Sequence, residues 1–363
     1  MKSYNEILSD VTKTATKIPQ SDYLDTGKYR IFDQGKEYSV GFSNDEQGVV
    51  SDYPYIIFGD HTRVVKYVNE PCFIGADGVK LLKVINKDFN PRFVYYNILA
   101  KPIENQGYAR HFKFLKEIQF TEKTLSVQTN IVTELDTIQS AIDNKKQQLS
   151  LLDEAVKSRF IEMFGDKPVE SGKWKVEKLE DVCDLITDGT HKTPNYQQKG
   201  IRFISAKNII NGKIDLTDTK FITEEEYKQI QKRCRVEKND VLLTKSGSLG
   251  SSAIIDFDIP IGLFESLAVI KYKRNLLNGI FVKELLSAES SQKQFNNGVK
   301  GIAIKHLHLN VIAALKIPIP PIELQNDFAS FVQQIDKSKF VVKQQIADLQ
   351  ELLDYKMNKY FGD

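Results

Sequence analysis

QTNIVTELDTIQSAIDNKKQQLSLLDEAVKSRFIEMFGD, residues 128–166, recurs without a gap as QNDFASFVQQIDKSKFVVKQQIADLQELLDYKMNKYFGD, residues 325–363. The offset is constant at 197 residues, so that 128 falls on 325. Ile138 falls on Ile335, Leu152 on Leu349, and Lys146-Gln147-Gln148 on Lys343-Gln344-Gln345; both copies end in Phe-Gly-Asp. A repeat this long is a duplication and is read before local propensity. Each copy also carries a heptad seam. In the first, Ile131, Leu135, Ile138, Ile142, Lys145, Leu149, Leu152, Val156, Arg159 and Met163 step alternately by four and three. The second has Phe328, Val332, Ile335, Lys339, Val342, Ile346, Leu349, Leu353, Lys356 and Tyr360 at the matching places. That period makes each copy a long helix with a coiled-coil face. Pro318, Pro320 and Pro321 precede the second helix, and Gly165 and Gly362 stand at C-cap positions. A helix of about 36 residues is roughly 55 Å long, too long for an ordinary core helix, so the two copies are expected to pair with each other.

With 363 residues there is room for two or three domains. No apolar run approaches a membrane span, and the polar start Met1-Lys2-Ser3-Tyr4 lacks a signal-peptide core. Cys72, Cys183 and Cys234 are scattered and form no CxxC pair, which suggests neither a disulfide framework nor a zinc site. Cytoplasmic residence is the expectation. A net charge of +2 does not by itself indicate a nucleic-acid partner, so any such reading rests on local clusters.

Outward from the helices, the chain divides into four parts: residues 1–118, a globular unit; 119–166, the first helix; 167–318, a second globular unit; 319–363, the second helix. Short aromatic and β-branched runs such as Tyr29–Phe32, Tyr55–Phe58, Val64–Val68, Phe203–Ser205, Asp240–Thr244 and Ser266–Lys271 read as strands. Phe93–Leu99, Tyr227–Arg233 and Phe281–Ala288 read as short helices. Leu8–Val11 (LSDV) resembles Leu179–Val182 (LEDV), so the duplication extends toward the globular parts. The expected fold is α+β, mixed α/β: two globular units separated by two long helices that pair with each other, with a pseudo-two-fold internal repeat.

Catalytic motifs do not emerge. Asn90-Pro91-Arg92-Phe93 is close to the tetrad of adenine N6-methyltransferases, but Arg replaces the second Pro and no glycine-rich cofactor turn precedes it. Ser246-Gly247-Ser248-Leu249-Gly250 lacks the first glycine of a nucleophile elbow. There is no GxxxxGK[ST]. His306 and His308 are placed on one face of a strand, as metal ligands are, but no third ligand is evident nearby. What the loops offer is polar and basic: from Gly189 to Ile214 the charged residues are all Lys or Arg. Such side chains beside glycines approach phosphates and base edges closely.

At these residues the chain resembles, over essentially its full length, the specificity subunit of Type I restriction–modification systems. The second unit carries the resemblance in Ile186–Pro194 (ITDGTHKTP), Ile201–Ile209 (IRFISAKNI), Asp240–Lys245 and Ser246–Gly250. The first carries it in Phe58–Arg63 (FGDHTR), Ile74–Gly78 and Gly107–His111. Ile317–Gln325 (IPIPPIELQ) and the two Phe-Gly-Asp ends carry it in the helices. Ile118–Leu125 lacks the prolines of the second helix's approach and departs from the pattern.

The resemblance implies that each globular unit is a target-recognition domain reading one half of a split double-stranded DNA site. It implies that the helices pack as an antiparallel coiled coil, set the spacer and dock two methyltransferase subunits, and that motor–nuclease restriction subunits join them. No cofactor is then expected on this chain: S-adenosylmethionine belongs to the methyltransferase subunit, ATP and Mg to the motor–nuclease. The candidate DNA-contacting residues are His61, Thr62, Arg63, Lys66, Tyr108, Arg110 and His111 in the first unit. In the second they are Thr190, His191, Lys192, Lys207, Asn208, Lys245, Ser246, Ser248 and Lys300. Two units held roughly 50 Å apart span more than one turn of B-DNA, about 34 Å, which predicts a bipartite site. Because the units share little sequence, the two halves are expected to differ. On the residues alone a coiled-coil protein–protein adaptor and a self-contained DNA-modifying enzyme stay open as alternatives.

Overall fold

The computed structural model describes all residues of the chain except 76, 108, 167–168, 171, 299–305 and 363. Two compact units form: residues 1–147 with 343–363, and residues 148–342. The division falls within the long helices, not at their ends, so that one part of each helix belongs to either unit.

The first unit begins with the helical turn α1 (Tyr4–Ile7) and strand β1 (Leu8–Asp10). Strands β2 (Tyr29–Phe32), β3 (Gly41–Ser43), β4 (Tyr55–Gly59), β5 (Val65–Val68), β6 (Cys72–Ile74) and β7 (Val79–Val84) follow. Helices α2 (Pro91–Ala100) and α3 (Phe112–Leu115) lead to the first long helix, α4 (Leu125–Phe164). One sheet runs in the order β1-β7-β4-β5, all antiparallel; the other runs β3-β2-β6, with β2 antiparallel to β3 and parallel to β6.

The second unit contains β8 (Lys175–Lys178), β9 (Cys183–Asp188), β10 (Ile201–Ile204), β11 (Ile209–Ile210), β12 (Lys213–Ile214) and β13 (Lys220–Ile222). Next come α5 (Glu224–Gln231), β14 (Val241–Thr244), β15 (Ser252–Ile254), β16 (Ile261–Leu263) and β17 (Leu267–Tyr272). Helices α6 (Gly279–Ser287), α7 (Glu289–Gly298) and α8 (Leu309–Ala313), then β18 (Lys316–Ile319), lead to the second long helix, α9 (Ile322–Phe361). Its sheets repeat the first unit's topology: β9-β17-β14-β15, and β13-β10-β16 with β10 antiparallel to β13 and parallel to β16. The repeat therefore includes the globular parts. LSDV and LEDV are not equivalent, however. LSDV runs into strand β1, whereas LEDV is a 3-10 turn ahead of β9, in the place that α1 holds ahead of β1. After Gly107 the chain forms the helical turn α3. His306 and His308 lie in an irregular segment, not a strand, with ring centres 5.4 Å apart.

Both long helices have 40 residues, and every seam position is buried or half-buried. In the first unit Ile131, Leu135, Ile138 and Ile142 of α4 share a core with Leu353 and Phe361 of α9. In the second unit Val156, Phe160 and Phe164 of α4 share one with Phe328 and Val332 of α9. The start of each helix thus meets the end of the other, which makes the pair antiparallel. Lys356 does not simply extend to solvent: its ammonium lies 2.6 Å from Glu134, which also accepts from the Tyr360 hydroxyl. Lys339 pairs with Asp153 at 2.6 Å.

A buried glutamine ties each helix start to its unit. Gln128 accepts from the Asn90 N–H at 2.8 Å and donates to the carbonyls of Asp88 and Lys123. Gln325 accepts from the Asn278 N–H at 2.9 Å and donates to the carbonyls of Leu276 and Pro320. Asn90 and Asn278 are themselves the N-caps of α2 and α6. The helix ends repeat as well: Phe361 packs on Phe93 with ring centres 5.0 Å apart, and Phe164 on Phe281 at 4.8 Å. The tetrad-like Asn90–Phe93 is therefore a helix start: Asn90 caps, Arg92 pairs with Asp136 at 2.8 Å, and Phe93 enters the core.

Candidate nucleic-acid interface

In the second unit the motif Ile186–Thr193 is the end of β9 and the loop beyond it. Asp188, the last residue of the strand, is buried, and its carboxylate gathers three basic side chains. Lys245, just after β14, and Arg233, just after α5, each reach it at 2.5 Å; His191 Nε2 lies 3.2 Å away. His191 Nδ1 in turn meets Glu265 at 2.7 Å. Burial by itself would raise the Asp188 carboxyl. The hydrogen bond and charge of Lys245, with His191 and Arg233, outweigh burial and hold it below the ordinary carboxylate value. Gly189 follows where the backbone passes so close to Leu263 that a Cβ would stand 2.1 Å from its carbonyl oxygen. The cradle leaves Lys192 exposed and Thr190 half-exposed at the rim, with Ser246 and Ser248 in the loop after β14.

The first unit builds its cradle at the end of β4, the strand that matches β14 and its Lys245, with different residues. Asp60, just after β4, is buried and accepts from the Phe112 N–H at 2.8 Å; its carbonyl accepts from the His111 N–H at 2.8 Å. In the second unit the Leu307 N–H donates to the Lys245 carbonyl in the same way. Gln34 joins two loops, accepting from the His61 N–H and donating to the Asp77 carbonyl. Thr62 donates its hydroxyl to the Gln34 carbonyl. Arg63 adopts a left-handed backbone, φ 62°, and its guanidinium donates to the Ile103 carbonyl. Thr62 and Arg110 are exposed, and His61 and Arg63 half-exposed.

Four candidates from the sequence turn out to be interior. Lys66 is 5% exposed and pairs with Asp33 at 3.3 Å; Lys245 is 3% exposed on Asp188. His111 is fully buried on the Asp60 carbonyl. Asn208 is buried, donating to the carbonyls of Asp215 and Asp218. These side chains hold loops and do not reach outward, because a buried polar group is fixed by its partners. Lys207 is exposed and pairs with Asp218 at 3.1 Å. Tyr108 and Lys300 lie outside the described residues. Asp188, Arg233 and Glu265 were missed as site residues: an acid before glycine reads locally as a turn, and its partners lie 45 to 57 positions away. Among the described residues no group of three or more His, Cys, Asp or Glu could hold a metal ion. No helix among them is long and apolar enough to cross a membrane.

Each of the two units thus presents polar loops on a buried acidic anchor, Asp60 in one and Asp188 in the other. The sequence profile of the family described as "Type I restriction modification DNA specificity domain" matches residues 171–351. The chain is 27% identical over 310 residues to the Type I restriction enzyme EcoBI specificity subunit of Escherichia coli, covering 76% of this chain and 65% of that one. It thus spans just under two thirds of that relative. It is 23% identical over 355 residues to the EcoR124I/EcoR124II specificity subunit of Escherichia coli, covering 91% and 85%. In fold it is similar to the crystal structure of the Type-I restriction-modification system S subunit from M. genitalium, with a TM-score of 0.61 and 15% identity, covering 100% and 96%. Residues 171–351 thus carry the DNA specificity domain of Type I restriction–modification systems.

Proposed function

We propose that this chain chooses the DNA sequence for a Type I restriction–modification enzyme and performs no chemistry itself. Each unit reads one half of an asymmetric two-part duplex site. The long helices set the spacer and dock two methyltransferase subunits, which carry S-adenosylmethionine; motor–nuclease subunits carrying ATP and Mg complete the restriction enzyme. The observation that carries this reading is the repeated topology with unlike loops. The sheets and the glutamine latches match between units, while the residues at the matching strand ends, Asp60-His61-Thr62-Arg63 and Lys245-Ser246-Gly247-Ser248, do not. A shared frame with divergent tips supports two readers of different sequences.

The test is a genome-wide map of N6-methyladenine in a host expressing the chain with a Type I methyltransferase subunit, against a control without the chain. A new asymmetric two-part motif that depends on the chain is the expected result. Methylation at the same motif with or without the chain would overturn the reading and favour a protein–protein adaptor.

A further inference from the structure

We propose that His306 is a base-reading residue of the second unit, holding the place that Arg110 holds in the first. This rests on the functional reading above. The equivalence is set by the backbone. The Leu307 N–H donates to the Lys245 carbonyl at 2.8 Å, as the His111 N–H donates to the Asp60 carbonyl at 2.8 Å. Lys245 directly follows β14, and Asp60 directly follows β4, the matching strand. Leu307 and His111 are both fully buried, and a short helix comes soon after each, α8 in one unit and α3 in the other. The residue before each stands at the corresponding place on the surface: Arg110 is exposed and His306 half-exposed. Lys245 turns its side chain inward onto Asp188 while its carbonyl holds Leu307. One residue thus fixes both the start of the Ser246–Gly250 loop and the approach of His306.

The surroundings of His306 suit a hydrogen-bonding reader and not a phosphate grip. Its ring meets that of His308 edge to face, with centres 5.4 Å apart, which orients it. Neither ring nitrogen of His306 forms a hydrogen bond or ion pair among the described residues. Burial, with the charges of Lys245 and His308, holds the imidazole below its ordinary value of 6.5; Glu265 and Asp188 oppose them and are outweighed. At neutral pH the ring is therefore uncharged, with one N–H donor and one bare nitrogen acceptor. Such a pair can meet a base edge, whereas phosphates are held chiefly by cations. The His-Leu-His spacing, which in the sequence has the look of a metal pair, serves to place one ring and brace it with the other.

The experiment measures duplex binding by the full chain assembled with methyltransferase subunits. The probes are duplexes carrying the two-part motif of its methylation map and every single base-pair change in that motif. Wild type is compared with His306→Ala and with His306→Phe, which keeps a ring beside His308 but has neither nitrogen. Both variants should lose about tenfold in discrimination at one base pair of a single half. The other half, and the slope of log affinity against log salt, should stay as in the wild type. Discrimination kept by His306→Phe but lost by His306→Ala would mean that the ring only packs, and would overturn the proposal. So would unchanged choice in both variants, a loss spread over both halves, or a slope flatter by about 0.9, the mark of a lost phosphate contact. In each of those cases the wild type still prefers its own duplex and the functional reading stands. A wild type that prefers no duplex over another would overturn that reading and the role of His306 together.

Discussion

Removing the Asp188 carboxylate leaves the buried Lys245 ammonium without its partner. Breaking a buried pair from one side costs about 3–5 kcal/mol, so Asp188→Ala should lower the melting temperature by several degrees. Lys192→Ala, on the exposed rim of the same loop, should change it little. The pH dependence follows from the sign of the shift. The Asp188 carboxyl in the folded chain titrates below its ordinary value of 3.8. Its contribution is therefore complete above 3.8 and is lost as pH falls through the lower folded value. The stability gap between wild type and Asp188→Ala should be constant at neutral pH and narrow only in acid below 3.8, as read by denaturant melts. Asn97 on α2 gives the opposite case. It is fully buried, neither polar atom of its side chain has a partner among the described residues, and α6 carries the buried Leu285 in the equivalent place. Asn97→Leu should raise stability by about 1 kcal/mol. This scale was the least legible in the sequence. A lysine opening a Gly/Ser loop, such as Lys245, has the local look of an exposed contact; that it turns inward is decided by a carboxylate 57 residues away.

The long helices were the most legible elements. Heptad spacing is a local property, and the ungapped repeat reports a shared structural demand, so the seam positions and the pairing of the two helices could be anticipated, while their antiparallel sense came from the family resemblance. The glutamine latches explain a part of the repeat that periodicity does not. Gln128 and Gln325 are both fully buried, and each makes three hydrogen bonds to backbone. Gln128→Leu or Gln325→Leu would leave one N–H and two carbonyls unpaired, costing about 2–4 kcal/mol in either unit, measurable by chemical denaturation. The common sheet topology was hidden. Strands of three to six residues are filled by whatever apolar side chains fit, so two units keep one architecture with little sequence in common. The shift between LSDV and LEDV shows how a four-residue match misleads when the turn it marks is one element earlier. If the paired helices set the spacer, inserting one heptad in both lengthens the frame by about 10 Å. The recognised motif should then gain spacer bases while both halves stay the same, as read from a methylation map.

At the scale of the whole chain, duplication accounts for both the regularity and the asymmetry. The frame is repeated: β1-β7-β4-β5 answers β9-β17-β14-β15, and the Phe361–Phe93 contact answers Phe164–Phe281. The tips are not, with Gln34, Asp60 and Arg63 organising one unit and Asp188, Lys245 and Arg233 the other. On the proposed function, which unit reads which bases would be set by side chains aimed by contacts distant in sequence, so local pattern carried the class of the protein further than its site. The measurement that bears most directly on two independent readers sharing one frame is an exchange. The globular part of the second unit, residues 174–319, would be replaced by its counterpart from another family member with a different target, leaving both long helices intact. The N6-methyladenine motif would then be mapped for the chimera and the parent. One half should change to that of the donor, while the other half and the spacer remain. A motif altered in both halves, or in neither, would contradict the account.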